Sequence, residues 1–117
     1  MNYYNTINNF KISVFIWLIT LTLLVFSIIV VGGLTRLTNS GLSMVDWRPI
    51  LGILPPFSNE EWLNVFNLYK DSPEFNYINY NITLNEFKYI FWWEYFHRLF
   101  ARLIGFVFVI PFIYFLF

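Results

Sequence analysis

The chain has 117 residues, is 58% hydrophobic and 24% aromatic, carries only 12% charged residues and has a formal net charge of zero. Soluble domains carry about 25% charged residues, so this is the composition of a membrane protein, and it leaves no basic surface for a nucleic acid. There is no cysteine, which excludes disulfides, thiolate metal sites and thiol catalysis.

Residues 1–11 are polar and Asn-rich and read as an N-terminal tail. Residues 12–34 are apolar apart from a few hydroxyls and the Gly32-Gly33 pair. As a helix they extend roughly 35 Å, enough to cross the ~30 Å hydrocarbon layer. A cleaved signal peptide has an apolar core of about 7–15 residues behind a basic start. Only Lys11 precedes this longer run, so a retained first transmembrane helix is expected. The run ends in Gly32-Gly33-Leu34-Thr35-Arg36-Leu37-Thr38-Asn39-Ser40-Gly41-Leu42-Ser43. This segment reads either as a helix terminus with glycine relief and polar turn chemistry, or as a place where Arg36 reaches an anionic group, since guanidinium suits bidentate carboxylate or phosphate binding.

Residues 35–83 form a long loop. Its first part carries Trp47, Pro49, Gly52 and Pro55-Pro56, and is expected to lie against the membrane surface because proline fixes the backbone and Trp prefers the headgroup zone. Ser58-Asn59-Glu60-Glu61 fits a capping box. Behind it Trp62, Val65, Phe66 and Tyr69 recur at helical spacing, predicting an amphipathic, interfacial helix over about 58–70 that packs on the spans. Residues 74–81 read as irregular. Thr83-Leu84-Asn85-Glu86 is a second capping box, so the second long helix occupies residues 84–117, a lead-in followed by a transmembrane span with Pro111 as a candidate kink. Phe117 ends inside an apolar run, which fits either a helix stopping at the far interface or the front portion of a longer protein. A simple count of bases (Arg36, Arg48, Lys70 and Lys88 in the loop against Lys11 in the tail) would put the loop in the cytoplasm.

The chemistry concentrates in Trp93-Glu94-Tyr95-Phe96-His97-Arg98-Leu99-Phe100-Ala101-Arg102-Leu103-Ile104-Gly105. On a helix Glu94, His97 and Arg98 share one face, and Ala101 and Gly105 follow His97 at four-residue steps. That predicts a side-chain-poor track beneath the only imidazole, where a planar ligand could lie. His97 reads as an axial ligand to haem iron, a proton shuttle, or an interfacial histidine with no task. Glu94 reads as an ion pair with Arg98 or as an acid/base group. Such helical pairs contribute only about 0.2–0.5 kcal/mol, while an ionisable group at bilayer depth costs several times that and is a functional-site hypothesis by default. Arg98 and Arg102 are expected to snorkel outward.

The Gly32–Ser43 segment, followed by Trp47, Pro49, Gly52 and Pro55-Pro56, resembles the first span and outer loop of haem A synthases. Glu86-Phe87-Lys88 and Glu94-Tyr95-Phe96-His97-Arg98, with Arg102 and Gly105, resemble that family's second-span signature. Ala101 stands where the family usually has glycine, and the lack of cysteine resembles the mitochondrial and related bacterial branch. The resemblance covers about the first third of a family member. It implies an all-α membrane protein of two transmembrane helices and a long outer loop, the first part of a four-helix half of an eight-span bundle. It implies a loop facing the periplasm or intermembrane space, with the N-terminus inside, in a bacterial cytoplasmic or mitochondrial inner membrane. The implied activity is oxidation of a methyl group of haem O to a formyl group, giving haem A for cytochrome oxidase. Glu94 would be the essential acid and His97 the ligand of the haem iron, with haem b, haem O or both bound. Arg36 and Arg98 would pair propionates, and Ala101 and Gly105 would give the ring room. The implied partners are haem O, lipid and the remaining helices of the full-length protein, with further copies or haem O synthase and oxidase-assembly proteins as candidates.

Two other readings are compatible with the same residues. One is a small two-span haem-binding or oxidase-assembly protein without catalysis. The other is a helical membrane scaffold in which His97 and Glu94 are inert.

Overall fold

The computed structural model describes residues 2–46, 48 and 51–117. Trp47 and Pro49, expected against the membrane surface, lie outside the described residues. The elements in order are helix α1 (Asn2–Leu37), a 3-10 turn (Leu51–Ile53), α2 (Asn59–Lys70), α3 (Pro73–Tyr77) and α4 (Leu84–Leu116). No strand occurs among the described residues. Helices α1 and α4 are both long and apolar enough to cross a membrane. The chain is thus all-helical, with the composition of an integral membrane protein.

Helix α1 reaches back to Asn2, so the polar stretch read as a tail is helical. No glycine or proline precedes Gly32, and nothing interrupts the turn-by-turn hydrogen bonding before it. At its other end α1 stops by a Schellman motif. Asn39 takes the left-handed conformation at φ 52°, the Ser40 N–H donates to the Thr35 carbonyl at 3.0 Å and the Asn39 N–H to that of Arg36 at 3.1 Å. Asparagine therefore makes the turn that glycine was expected to make, since asparagine tolerates that backbone region. Gly32 and Gly33 stay inside the helix.

The chain divides into two compact units. The first comprises Met1–Val30 and Phe100–Phe117. In it Trp17 packs on Phe108 and Phe115, with ring centroids 5.9 and 5.4 Å away. Its indole N–H donates to the Val107 carbonyl at 2.7 Å. Pro111 lies inside α4 and, lacking an N–H, leaves the carbonyl four residues earlier without its helical partner. That carbonyl is Val107's, so Trp17 satisfies the group that Pro111 frees. Helical assignment continues through the proline to Leu116.

The second unit, Val31–Leu99, holds the buried core. Trp62, Phe66 and Tyr69 of α2 close over Phe87, Ile90, Phe91 and Tyr95 of α4. Ring pairs stand at 4.9 Å (Trp62 and Phe91) and 5.0 Å (Phe66 and Phe87, Tyr69 and Phe87), separations at which aromatic pairs add about 0.5–1.5 kcal/mol beyond area burial. The apolar stripe of α2 is thus spent against the lead-in turns of α4. Both capping boxes form. Ser58 Oγ accepts from the Glu61 N–H while Glu61 Oε2 accepts from the Ser58 N–H. Thr83 and Glu86 exchange the same reciprocal bonds ahead of α4.

Candidate functional site

A cavity of about 490 Å³ opens within the Val31–Leu99 unit, in the size range of small-molecule sites, ~300–1,000 Å³. Three stretches of sequence build its wall. The end of α1 and its turn contribute Gly32, Thr35, Arg36, Asn39 and Gly41. Helix α3 contributes Glu74, and α4 contributes Glu94, His97 and Arg98. The structure therefore brings together four of the residues singled out from sequence, namely Arg36, Glu94, His97 and Arg98. Ala101 and Gly105 belong to the other unit. Both are exposed on α4, and a Cβ on Gly105 would meet no atom within 4 Å.

The small residue beside the imidazole comes from α1 instead. A Cβ on Gly32 would stand 3.2 Å from His97 Nε2, tighter than an ordinary van der Waals contact, so glycine leaves that space clear. The imidazole is half-buried, and no hydrogen bond to it is found among the described residues. A ring nitrogen of this kind is free to ligate. No group of three or more His, Cys, Asp or Glu that could hold a metal ion occurs among the described residues. A single imidazole on a cavity wall suits a metal whose other ligands arrive with a macrocycle. The residues present are of a kind that could hold such a group, with one imidazole on the wall and Arg36 on the rim.

Glu94 is 2% exposed and its oxygens are engaged. Oε2 accepts from the Ser43 hydroxyl at 2.7 Å and from the Met44 N–H at 2.8 Å. Oε1 accepts from Arg98 Nη2 in an ion pair one helical turn away. The weak intrahelical pair anticipated from spacing is thus part of a buried network that ties the loop after α1 to α4. Tyr95 adds a second tie, its hydroxyl donating to the Ile53 carbonyl at 2.6 Å. Arg98 turns inward to Glu94 rather than outward to the interface. Arg102 does not simply snorkel either, since its Nη1 is buried without a hydrogen-bond partner. Arg36 is exposed on the cavity rim and has no ion pair among the described residues.

Reading the sequence missed Glu74, in a stretch taken as irregular. Ser72 caps α3 by accepting from the Phe75 N–H at 3.3 Å, and Pro73 opens the helix. Phe75 anchors the segment against Phe66 and Tyr69. Glu74 ends 8% exposed, with Oε2 buried and unpartnered. Burial pushes its carboxyl above the ordinary carboxylate value, the Glu94 charge adds to the rise, and the Tyr69 hydroxyl opposes it. The available signal was Asp71-Ser72-Pro73-Glu74 itself, a cap, a first-turn proline and a first-turn acid.

The model of a family described as cytochrome oxidase assembly protein matches residues 15–117. Among curated proteins, the chain is 60% identical over 100 residues to a haem A synthase of Orientia tsutsugamushi (strain Ikeda), covering 86% of this chain and 28% of that protein. It is 55% identical over 101 residues to a haem A synthase of Nitrosomonas eutropha, with 86% and 28% covered. Against a haem A synthase of Caulobacter sp. (strain K31) it is 54% identical over 101 residues, with 86% and 29% covered. The chain thus spans under a third of the length of the curated relatives it matches. No solved structure matches it.

Proposed function

The chain belongs to the cytochrome oxidase assembly protein family, and from that premise we propose that it forms the N-terminal part of a haem A synthase. In this reading it works with the remaining spans of a longer protein to oxidise a methyl group of haem O to a formyl group. The observation that carries the reading is the half-buried imidazole of His97, with Gly32 keeping the space beside Nε2 clear, on a cavity that also presents Arg36 and two acids.

A haem bound here supplies redox chemistry at its iron, whether it is resident haem b or the substrate haem O. The chain's own residues hold and orient it. His97 takes the iron, and Arg36 faces an anionic substituent as a bidentate donor. Glu94 stands on the cavity wall and pins Ser43 and Met44, which sets the distance between the outer loop and α4. As the proposed acid of the reaction, it handles charge near the reacting carbon, and Arg98 is its counter-ion. We place the loop on the outer side of the membrane and the N-terminus inside, in a bacterial cytoplasmic or mitochondrial inner membrane. Haem O synthase and oxidase-assembly proteins are the partners this activity calls for.

The test is an absorption spectrum of the purified full-length protein with and without His97→Ala. A haem band that weakens or shifts in the variant supports the site. An unchanged band means that His97 holds no iron, and the absence of haem from both favours an inert scaffold.

A further inference from the structure

We propose that Ser43 is a positioning residue for Glu94, a hydroxyl that donates to the carboxylate and accepts from the carboxylic acid, so that Glu94 keeps its place with or without a proton. The inference deepens the reading of Glu94 as the acid of the proposed reaction, and rests on that reading.

Three observations carry it. Glu94 is 2% exposed and Ser43 fully buried, so protein groups must satisfy both. Second, the carboxyl has three partners among the described residues. The Ser43 hydroxyl and the Met44 N–H donate to Oε2, and Arg98 donates to Oε1. A backbone N–H and a guanidinium can only donate, whereas a hydroxyl both donates and accepts. Ser43 is therefore the one partner able to receive a hydrogen carried by Glu94. Third, Ser43 Oγ has other acceptors in reach, the carbonyls of Ser40 at 3.0 Å and Ile90 at 3.3 Å.

Those distances define two arrangements. With Glu94 ionised, the Ser43 hydrogen lies along the 2.7 Å line to Oε2, a charge-assisted bond. With Glu94 protonated, the hydrogen sits on Oε2, because Oε1 faces the Arg98 guanidinium, and it points back along the same line to Ser43 Oγ. The hydroxyl hydrogen then turns to the Ser40 carbonyl, which lies within ordinary O–H···O range while that of Ile90 does not. This is a rotation about one Cβ–Oγ bond. No heavy atom moves, and Met44 and Arg98 keep their bonds. Glu74 from α3 and Tyr69 from α2 also stand close enough to feel the Glu94 charge, and Arg36 and His97 share its cavity. None of these four hydrogen-bonds the Glu94 carboxyl, so none replaces Ser43.

The experiment takes infrared difference spectra of the full-length protein in detergent between acid and alkaline buffer. The Glu94 carboxylic band is the one that Glu94→Gln removes. In Ser43→Ala that band should move to higher wavenumber, because the acid loses the acceptor for its hydrogen. Ser43→Cys keeps the bulk with a weaker donor and acceptor, so its band should move the same way by less. It also carries the test should Ser43→Ala not fold. A wild-type protein without such a band overturns the proposal, since Glu94 then never holds a proton, and so does a band that stays in place in the variants. Haem A formation is the second readout. Ser43→Ala should lower kcat about tenfold, the size of one charge-assisted hydrogen bond, with KM for haem O and the haem band unchanged. Loss of the haem band together with kcat would make Ser43 merely structural and overturn the proposal. A wild-type protein that forms no haem A overturns the activity beneath it, while the infrared readout still decides on Ser43.

Discussion

The hydroxyls within the first unit's α1 and that of Ser43 in the Val31–Leu99 unit behave differently, and the difference separates span from site. In the first unit Ser13, Thr20, Thr22 and Ser27 each donate to the carbonyl four residues earlier in α1. A hydroxyl in hydrocarbon must be satisfied by its own helix or by a neighbour, and these turn inward and tie nothing together. In the Val31–Leu99 unit Ser43 reaches Glu94 across 51 positions of sequence. There a polar residue joins segments that would otherwise be held only by ring packing. These span hydroxyls are thus replaceable by any residue of similar size, while that of Ser43 fixes where the loop sits.

The largest test of that contrast is Glu94→Ala. Removing the carboxylate leaves Arg98, the Ser43 hydroxyl and the Met44 N–H without their shared acceptor. Breaking a buried pair from one side costs about 3–5 kcal/mol. Arg98 keeps some access to solvent, with a 24% exposed side chain, so the lower end is expected. Thermal denaturation of the full-length protein in detergent measures it, alongside loss of haem A formation. Thr20→Val in the first unit should change stability by less than about 0.5 kcal/mol. Equal losses for the two variants would erase the distinction between the units.

Gly32→Ala is the next largest. The added methyl would stand 3.2 Å from His97 Nε2, so the imidazole must shift by a few tenths of an ångström. We expect a weakened and shifted haem band with little loss of fold. Gly33→Ala, where a Cβ meets nothing within 4 Å, should leave the band as it is. If the two variants behave alike, the space beside Nε2 has no bearing on the ligand.

Much of this contrast could be read from the sequence, and the unread part has one physical cause. The spans followed from apolar run length, α2 and α4 from their capping boxes, and the core stripe of α2 from helical spacing. His97, Glu94 and Arg98 stood out because ionisable groups are rare beside apolar runs. All of these are local patterns. The small residue facing His97 was sought one turn along the same helix, at Ala101, because spacing reports only neighbours within a helix. It came from α1, 65 positions earlier, since His97 and Gly32 meet only when the chain folds back. The partners of Glu94 were hidden in the same way, with Ser43 reading as turn chemistry. Glu74 was obscured because its helix is five residues long, too short for a periodic signal.

Ser58→Ala tests the Val31–Leu99 unit at a smaller scale. It removes the oxygen that accepts the Glu61 N–H at 3.2 Å and should cost about 1 kcal/mol. The loss should appear as earlier melting of the Val31–Leu99 unit in hydrogen exchange, with α2 amides losing protection first. Unchanged protection would mean that the rings of Trp62, Phe66 and Tyr69 hold α2 without its cap.

The smallest effect belongs to the first unit, where one long-range polar contact is seen among the described residues. Trp17→Phe keeps an aromatic ring against Phe108 and Phe115 and removes the donor to the Val107 carbonyl. Hydrogen bonds between membrane helices average about 0.6 kcal/mol, so a loss of that order is expected. Pro111→Ala restores an N–H that can reach the same carbonyl from within α4. In that background Trp17→Phe should cost less, because Val107 then has a helical partner. A double-mutant cycle isolates this coupling. An equal cost in both backgrounds would mean that Trp17 acts through its ring contacts alone. A coupling near ~0.6 kcal/mol would show that the proline created the acceptor its neighbour uses.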